Sequence, residues 1–174
     1  MPSHSAVVVL FAVAGCASAP LPIAGTQDHP EDRAAILTTI DRFFEAMAAR
    51  DQQAFTATTT GDGMVHSVVL REAETTLRAR SMRGSSEQLA RGSERLEETY
   101  WQPTVLQRGP LAVVWTPYRF RINGADSHWG VDAFTLVKAD GEWRIASAAY
   151  TVEPEGGPEL TPGPGASIRP ASLR

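Results

Sequence analysis

The sequence predicts an α+β domain in which N-terminal helices pack in a curved antiparallel sheet. Three observations carry that prediction. Apolar residues at Ile36, Leu37, Ile40, Phe43, Phe44 and Met47 recur at the spacing of one helical face. From Leu96 onward every segment reads as strand, and the strands are divided by Arg108-Gly109-Pro110, Asn123-Gly124 and Asp140-Gly141. Helices come first and long strands after, an order that belongs to α+β rather than to alternating α/β folds.

The chain has 174 residues, enough for one domain with a single core, and 43% of them are hydrophobic against 21% charged. A net charge of -4 offers no basic surface to phosphate, so nucleic acid is not an expected partner. The one cysteine, Cys16, allows neither an internal disulfide nor a cysteine-based metal site in the folded part. No P-loop or dinucleotide-type glycine loop is present.

The apolar run Ala6 to Ala14 is about half the roughly 20 residues a membrane-spanning helix needs. It fits the hydrophobic region of a signal peptide, although Met1 to Ser5 carries no Lys or Arg. Val13-Ala14-Gly15-Cys16 resembles the bacterial lipobox, in which cleavage precedes the cysteine and the thiol takes the lipid. Residues 1–16 are therefore read as a lipoprotein-type signal ending at Cys16, the lipidation site. The expected location is the periplasmic side of a bacterial envelope, with the membrane met only through that lipid. Ordinary secretion, with cleavage after Ala17-Ser18-Ala19, is the alternative. Residues 17–27 read as a tether, 28–152 as the folded domain, and 153–174, dense in Pro and Gly, as a disordered tail.

In the folded domain Asp28, Pro30 and Glu31 supply a cap acceptor, a preset φ and a negative charge for the first helix, which ends near Arg50. Asp51 is placed to cap a short second helix through Phe55 that stops at Thr60-Gly61-Asp62-Gly63. Met64 to Leu70 is a strand, with His66 on the Met64 and Leu70 side. Arg71 to Arg83 is a loop or edge strand, and Ser85 or Ser86 caps a third helix closed by Gly92. Strands follow at Glu97–Gln107, Leu111–Ile122, His128–Lys138 and Trp143–Val152. Pro117 lacks the N–H for a ladder bond, so a bulge is expected there, bringing Trp115 and Tyr118 to one face.

The runs Val114-Trp115-Thr116-Pro117-Tyr118-Arg119-Phe120 and Ser127-His128-Trp129-Gly130-Val131-Asp132-Ala133-Phe134, with Asn123-Gly124 between them, resemble the nuclear transport factor 2-like superfamily. More narrowly, they resemble a bacterial branch with several secreted members. That superfamily includes the SnoaL-like polyketide cyclases and the ketosteroid isomerases. The resemblance implies a cone-shaped fold over roughly Glu31 to Val152, with a cavity between sheet and long helix. It also implies a homodimer, often through the outer sheet face. It does not imply a reaction, since the fold hosts enzymes and binders alike.

His128 and Asp132 share a strand face with Gly130, Phe134 and Leu136. Four residues of strand span roughly 13 Å, so the two cannot hydrogen-bond as a dyad at ordinary geometry. Both can still point into one cavity, with Gly130 leaving space between them. Either each is satisfied by its neighbours, or Asp132 is a desolvated base and His128 a polarising group. His66, Trp115, Tyr118, His128 and Asp132 are the pocket candidates. Phe120, Trp129 and Trp143 read as core or dimer-face residues, and Arg71, Arg78, Arg80 and Arg83 as a solvated face partnered by Glu72, Glu74 and Glu87. The histidines have no metal-ligand spacing, so neither a metal nor an organic cofactor is expected. The functional expectation is an envelope-anchored domain holding a small, largely apolar ligand. The alternatives are a SnoaL-like isomerase, cyclase or hydrolase using Asp132 and His128, and a structural assembly domain with a filled cone.

Overall fold

A computed structural model describes residues 23–27, 29–72 and 74–170. The lipobox, Cys16 and Asp28 lie outside the described residues. Helices α1 (Pro30–Ala49), α2 (Gln52–Ala57) and α3 (Met82–Arg91) accompany one eight-stranded sheet. Its strands are β1 (Thr59–Arg71), β2 (Glu74–Ser81), β3 (Leu96–Trp101), β4 (Thr104–Arg108), β5 (Leu111–Ile122), β6 (Ala125–Ala139), β7 (Glu142–Val152) and β8 (Ile168–Pro170). The sheet runs β2-β1-β7-β6-β5-β3-β8, with β4 also on β5. β1 lies parallel to β7 and the other pairs are antiparallel. The sheet is curved and unclosed, and α1 packs in its hollow.

α1 forms as its periodicity demands. Ile36, Leu37, Ile40, Phe43 and Phe44 are buried, and Phe43 and Phe44 both meet Phe134 of β6 edge-on at centroid distances of 6.0 and 5.9 Å. The cap position belongs to His29, whose side chain makes no capping bond. Arg50 ends the helix in the left-handed region, at φ 55°. Its guanidinium holds it there, donating to the carbonyl oxygens of Leu89 and Glu94 and to the Glu94 carboxylate at 2.9 Å. Asp51 caps α2 as expected, accepting from the Ala54 N–H at 2.9 Å. For α3 the cap is Ser81, accepting from the Gly84 N–H at 3.0 Å, rather than Ser85 or Ser86.

The expected stop at Thr60-Gly61-Asp62-Gly63 is already part of β1, as an irregular stretch where the register on β7 shifts between Thr59 and Met64. Gly63 passes so close to the Ala146 carbonyl that a Cβ would lie 2.4 Å from its oxygen. The hairpin turns hold, with Asn123 and Gly124 at φ 53° and 82° and Asp140 and Gly141 at 53° and 82°.

Pro117 does not produce the expected bulge. β5 keeps register with β6 from Leu111 to Phe120, so Trp115 is 54% exposed on the outer face while Tyr118 is buried. The break lies in the neighbouring strand instead. Glu97–Gln107 divides into β3 and β4 around Gln102 (φ 49°) and Pro103, opposite Thr116 and Pro117. Pro117 therefore stands where there is no ladder bond on that side to lose. Curvature comes from extra residues at Ser127 in β6 and Ala146 in β7.

The tail, expected to be disordered, is ordered over its described part. Glu153 exchanges backbone bonds with Trp129 at 3.0 and 2.9 Å, Leu160 is buried in a 3-10 turn, and β8 pairs with β3. Pro and Gly density argues against a tail making its own ladder. It says nothing about borrowing a free edge, which β3 supplies. Arg169 fixes the end by pairing with Asp41, which also accepts from the Tyr100 hydroxyl at 2.7 Å.

Candidate functional site

The hollow between α1, α3 and the sheet encloses a cavity of about 730 Å³. Its walls are mostly apolar, with Phe43, Phe44 and Met47 from α1, Phe55 from α2, and Phe134 and Ala148 from the sheet. That size and lining are typical of small-molecule sites.

The strand register builds the polar part. One row across the sheet reads Arg78 (β2), Ser67 (β1), Tyr150 (β7), Asp132 (β6) and Thr116 (β5). Another reads Glu98 (β3), Phe120 (β5) and His128 (β6). Curvature brings Glu98 near Asp132, so that two buried, interacting carboxyl groups share the cavity wall. Asp132 Oδ2 has no hydrogen-bond partner among the described residues. Burial, and then the charge of its neighbour, pushes Glu98 well above the usual carboxyl range. Burial raises Asp132 to about 7. Two anions cannot sit this close in a dry site, so the pair keeps a shared proton into the neutral range.

Tyr118 closes one side of the pair. Its hydroxyl donates to the Thr151 carbonyl oxygen at 2.6 Å, and burial raises its pKa far above the phenol range. It is a fixed neutral wall rather than an acid. Tyr118 stands opposite Gly130, where a Cβ would lie 2.8 Å from its ring and 2.2 Å from the Thr151 oxygen. Gly130 thus leaves no open space; the tyrosine ring fills it. His128 stacks on Phe120 at 5.0 Å, and its Nδ1 lies 3.1 Å from Ser127 Oγ. Burial lowers its pKa, so it faces the cavity as a neutral imidazole.

Of the five pocket candidates, Tyr118, His128 and Asp132 line the cavity. Trp115 does not, for want of the bulge. Neither does His66, because Val65, Ser67 and Val69 take the inner face of β1 and leave His66 on the other. His128 and Asp132 make no bond to each other, as the strand spacing requires. Glu98 was missed, although Leu96-Glu97-Glu98-Thr99-Tyr100 placed it between Leu96 and Tyr100 on an apolar face. Arg78 and Arg80 are exposed, in keeping with a solvated face, and also line the cavity, while the expected acidic partners make no ion pair with them among the described residues. No group of three or more His, Cys, Asp and Glu is placed to hold a metal among the described residues.

No family model matches the chain, and no curated protein matches it either. Solved structures do. A nuclear transport factor 2-like protein of unknown function from Shewanella baltica superposes with a TM-score of 0.58 at 15% identity, over 74% of this chain and 99% of that one. A nuclear transport factor 2-like protein with a cystatin-like fold from Novosphingobium aromaticivorans gives 0.55 at 17% identity, over 75% and 86%. A protein of unknown function with a cystatin-like fold from Nostoc punctiforme gives 0.57 at 14%, over 73% and 95%. The chain has the nuclear transport factor 2-like fold, and at these identities the likeness extends to the fold alone.

Proposed function

We propose that this chain binds a small, largely apolar molecule in its cone and grips one polar atom of it with the proton shared by Glu98 and Asp132. The observation that carries the reading is the pairing of two buried carboxyls on the wall of an otherwise apolar cavity, with one oxygen left unpartnered. Such a pair costs stability unless something uses it. A ligand carbonyl or hydroxyl can take the shared proton as a hydrogen bond, at a point where water is scarce and the bond is strong. Native mass spectrometry of the full chain tests this. Extra mass that leaves on denaturation is expected, and it should be absent when Ala148→Trp fills the cone. A bare chain at every ligand-preserving condition would favour the structural alternative.

A second reading, proton-transfer catalysis, is favoured by the raised pKa of Asp132 in the cavity that the neutral His128 also lines. A carboxyl that titrates near neutrality is matched to giving and taking protons at physiological pH. Asp132 would move the proton and His128 would polarise the reacting oxygen. Here Asp132→Asn abolishes turnover while binding persists, whereas in a pure binder no turnover exists to lose.

Envelope anchoring through Cys16 belongs to the same proposal. Cys16→Ser is expected to move the protein from the membrane fraction to the soluble one, and unchanged membrane association would refute it. A homodimer through the outer sheet face is supported by the exposed Leu111, Val113 and Trp115 of β5.

A further inference from the structure

The cavity has two chemically different ends. Next to the acid pair it is deeply buried. At its mouth stand Arg78 and Arg80 of β2 and Arg91 of α3, all exposed cavity-lining residues. Among the described residues none of these three has an ion-pair partner; Arg80 donates only to the neutral Gln88. A fourth lining arginine, Arg50, is taken by Glu94. This concentration of positive charge belongs to a chain whose net charge is -4.

Charge on an edge strand often serves only to block pairing with other chains. Inward-pointing charge can do the same, but on β2 the charged row also lines the cavity. The outward row of β2 is Thr75, Leu77 and Ala79, with Leu77 66% exposed, while Arg78 and Arg80 stand on the cavity side opposite Ser67 and Val65. The row from Arg78 through Ser67 and Tyr150 reaches Asp132, three strand spacings or roughly 14 Å of backbone away. Side chains reach inward from both ends of that row, leaving a span suited to one or two rings.

We infer that the ligand is an organic anion, with an apolar body between α1 and the sheet and a carboxylate, sulfonate or phosphate group held by Arg78 and Arg80 at the mouth. This rests on the cone-binding reading and deepens it. Guanidinium groups bind such oxyanions through paired charge-assisted hydrogen bonds. The opposite end of the same molecule then meets the acid pair, so polarity at both ends fixes its orientation.

Two fluorescent probes with one aromatic skeleton test this on the full chain: anilinonaphthalene sulfonate and the uncharged N-phenylnaphthylamine. The native chain should bind the sulfonate about tenfold more tightly than the neutral probe. The double variant Arg78→Gln, Arg80→Gln should abolish that preference without weakening the neutral probe, and Arg78→Lys, Arg80→Lys should keep part of it. Ser67→Trp, which obstructs the cavity wall, should remove both probes. Equal affinities in the native chain, or a sulfonate preference that survives the Gln variant, would overturn the anion inference while leaving the cone as a binding site. Sulfonate binding that survives Ser67→Trp would place the probe outside the cone and overturn it too. If neither probe binds, the cone-binding reading fails first and the inference with it.

Discussion

Asp32 and Asp132 are the same residue in two settings, and the fold treats them in opposite ways. Asp32, in the first turn of α1, accepts from Lys138 Nζ at 2.7 Å, Gln107 Nε2 at 2.9 Å and Trp143 Nε1 at 3.1 Å. Those donors, Lys138 foremost, hold its carboxyl down to about 2. It ties the helix to three strands, and every bond it makes favours the anion. Asp132 is buried beside another carboxyl, and one of its oxygens meets no donor. Charge is what the first setting uses and what the second resists. A carboxylate with three donors is a joint, and a carboxyl with only another acid beside it is available to something that is not yet bound.

The largest expected effect separates the two by pH. Glu98 and Asp132 have raised values, so between about 4 and about 7 the folded chain retains a proton that the unfolded chain has released. Stability therefore falls as pH rises through that window, by on the order of 4 kcal/mol for the Asp132 shift. Urea titrations across pH should show this slope, made shallower in Glu98→Gln or Asp132→Asn, each of which keeps one buried carboxyl. Asp32 behaves conversely: its depressed value contributes stability present above about 4 and lost as pH falls toward about 2. Asp32→Asn should flatten only that acid limb and lower the thermal midpoint at neutral pH. A neutral-pH slope that Asp132→Asn leaves intact would break the contrast.

Gly130→Ala should come next, at about 2–3 kcal/mol, because the new methyl meets the Thr151 carbonyl and the Tyr118 ring that walls the pair. Chemical denaturation reads the loss directly. Arg169→Ala should cost about 1 kcal/mol by freeing the tail from Asp41 and leaving Tyr100 to hold that carboxylate alone. Faster proteolysis after Leu160 would accompany it. Trp115→Glu should change stability by less than about 0.5 kcal/mol, as an exposed site away from both carboxylates. Its effect belongs to the proposed assembly, and light scattering should find the variant of lower mass than the native chain if the outer sheet face pairs two copies.

The two settings also differ in how much of them could be read before folding. The fold was legible because α1 announces its buried face through Ile36, Ile40, Phe43 and Phe44, and because Asn-Gly and Asp-Gly turns fix the hairpins. These signals are local. His128 and Asp132 were found by alternation on β6, which is local too, whereas Tyr118 was reached through a bulge at Pro117 that β5 does not make. Glu98 comes from β3, with β5 between it and β6, and meets Asp132 only because the sheet curves; no spacing along the chain encodes that meeting. His66 and Trp115 failed for a related reason, since which face of a strand looks inward depends on where the bends fall. Those bends lie at Gln102, Ser127 and Ala146, and the one residue that signals a bend by its chemistry, Pro117, does not make one. The tail's order depends on the free edge of β3, which its own Pro-rich composition could not reveal.

The most direct test of the acid pair is a carbon-13 NMR titration of the Glu98 and Asp132 carboxyl carbons, assigned by comparing the native chain with Glu98→Gln and Asp132→Asn. The pair should still hold a proton at about pH 7, with coupled shifts of both carbons that change in either variant. Two independent titrations near pH 4, unaltered by substitution of the neighbour, would mean that the carboxyls are solvated and separate, and that the cone has no proton to offer a ligand.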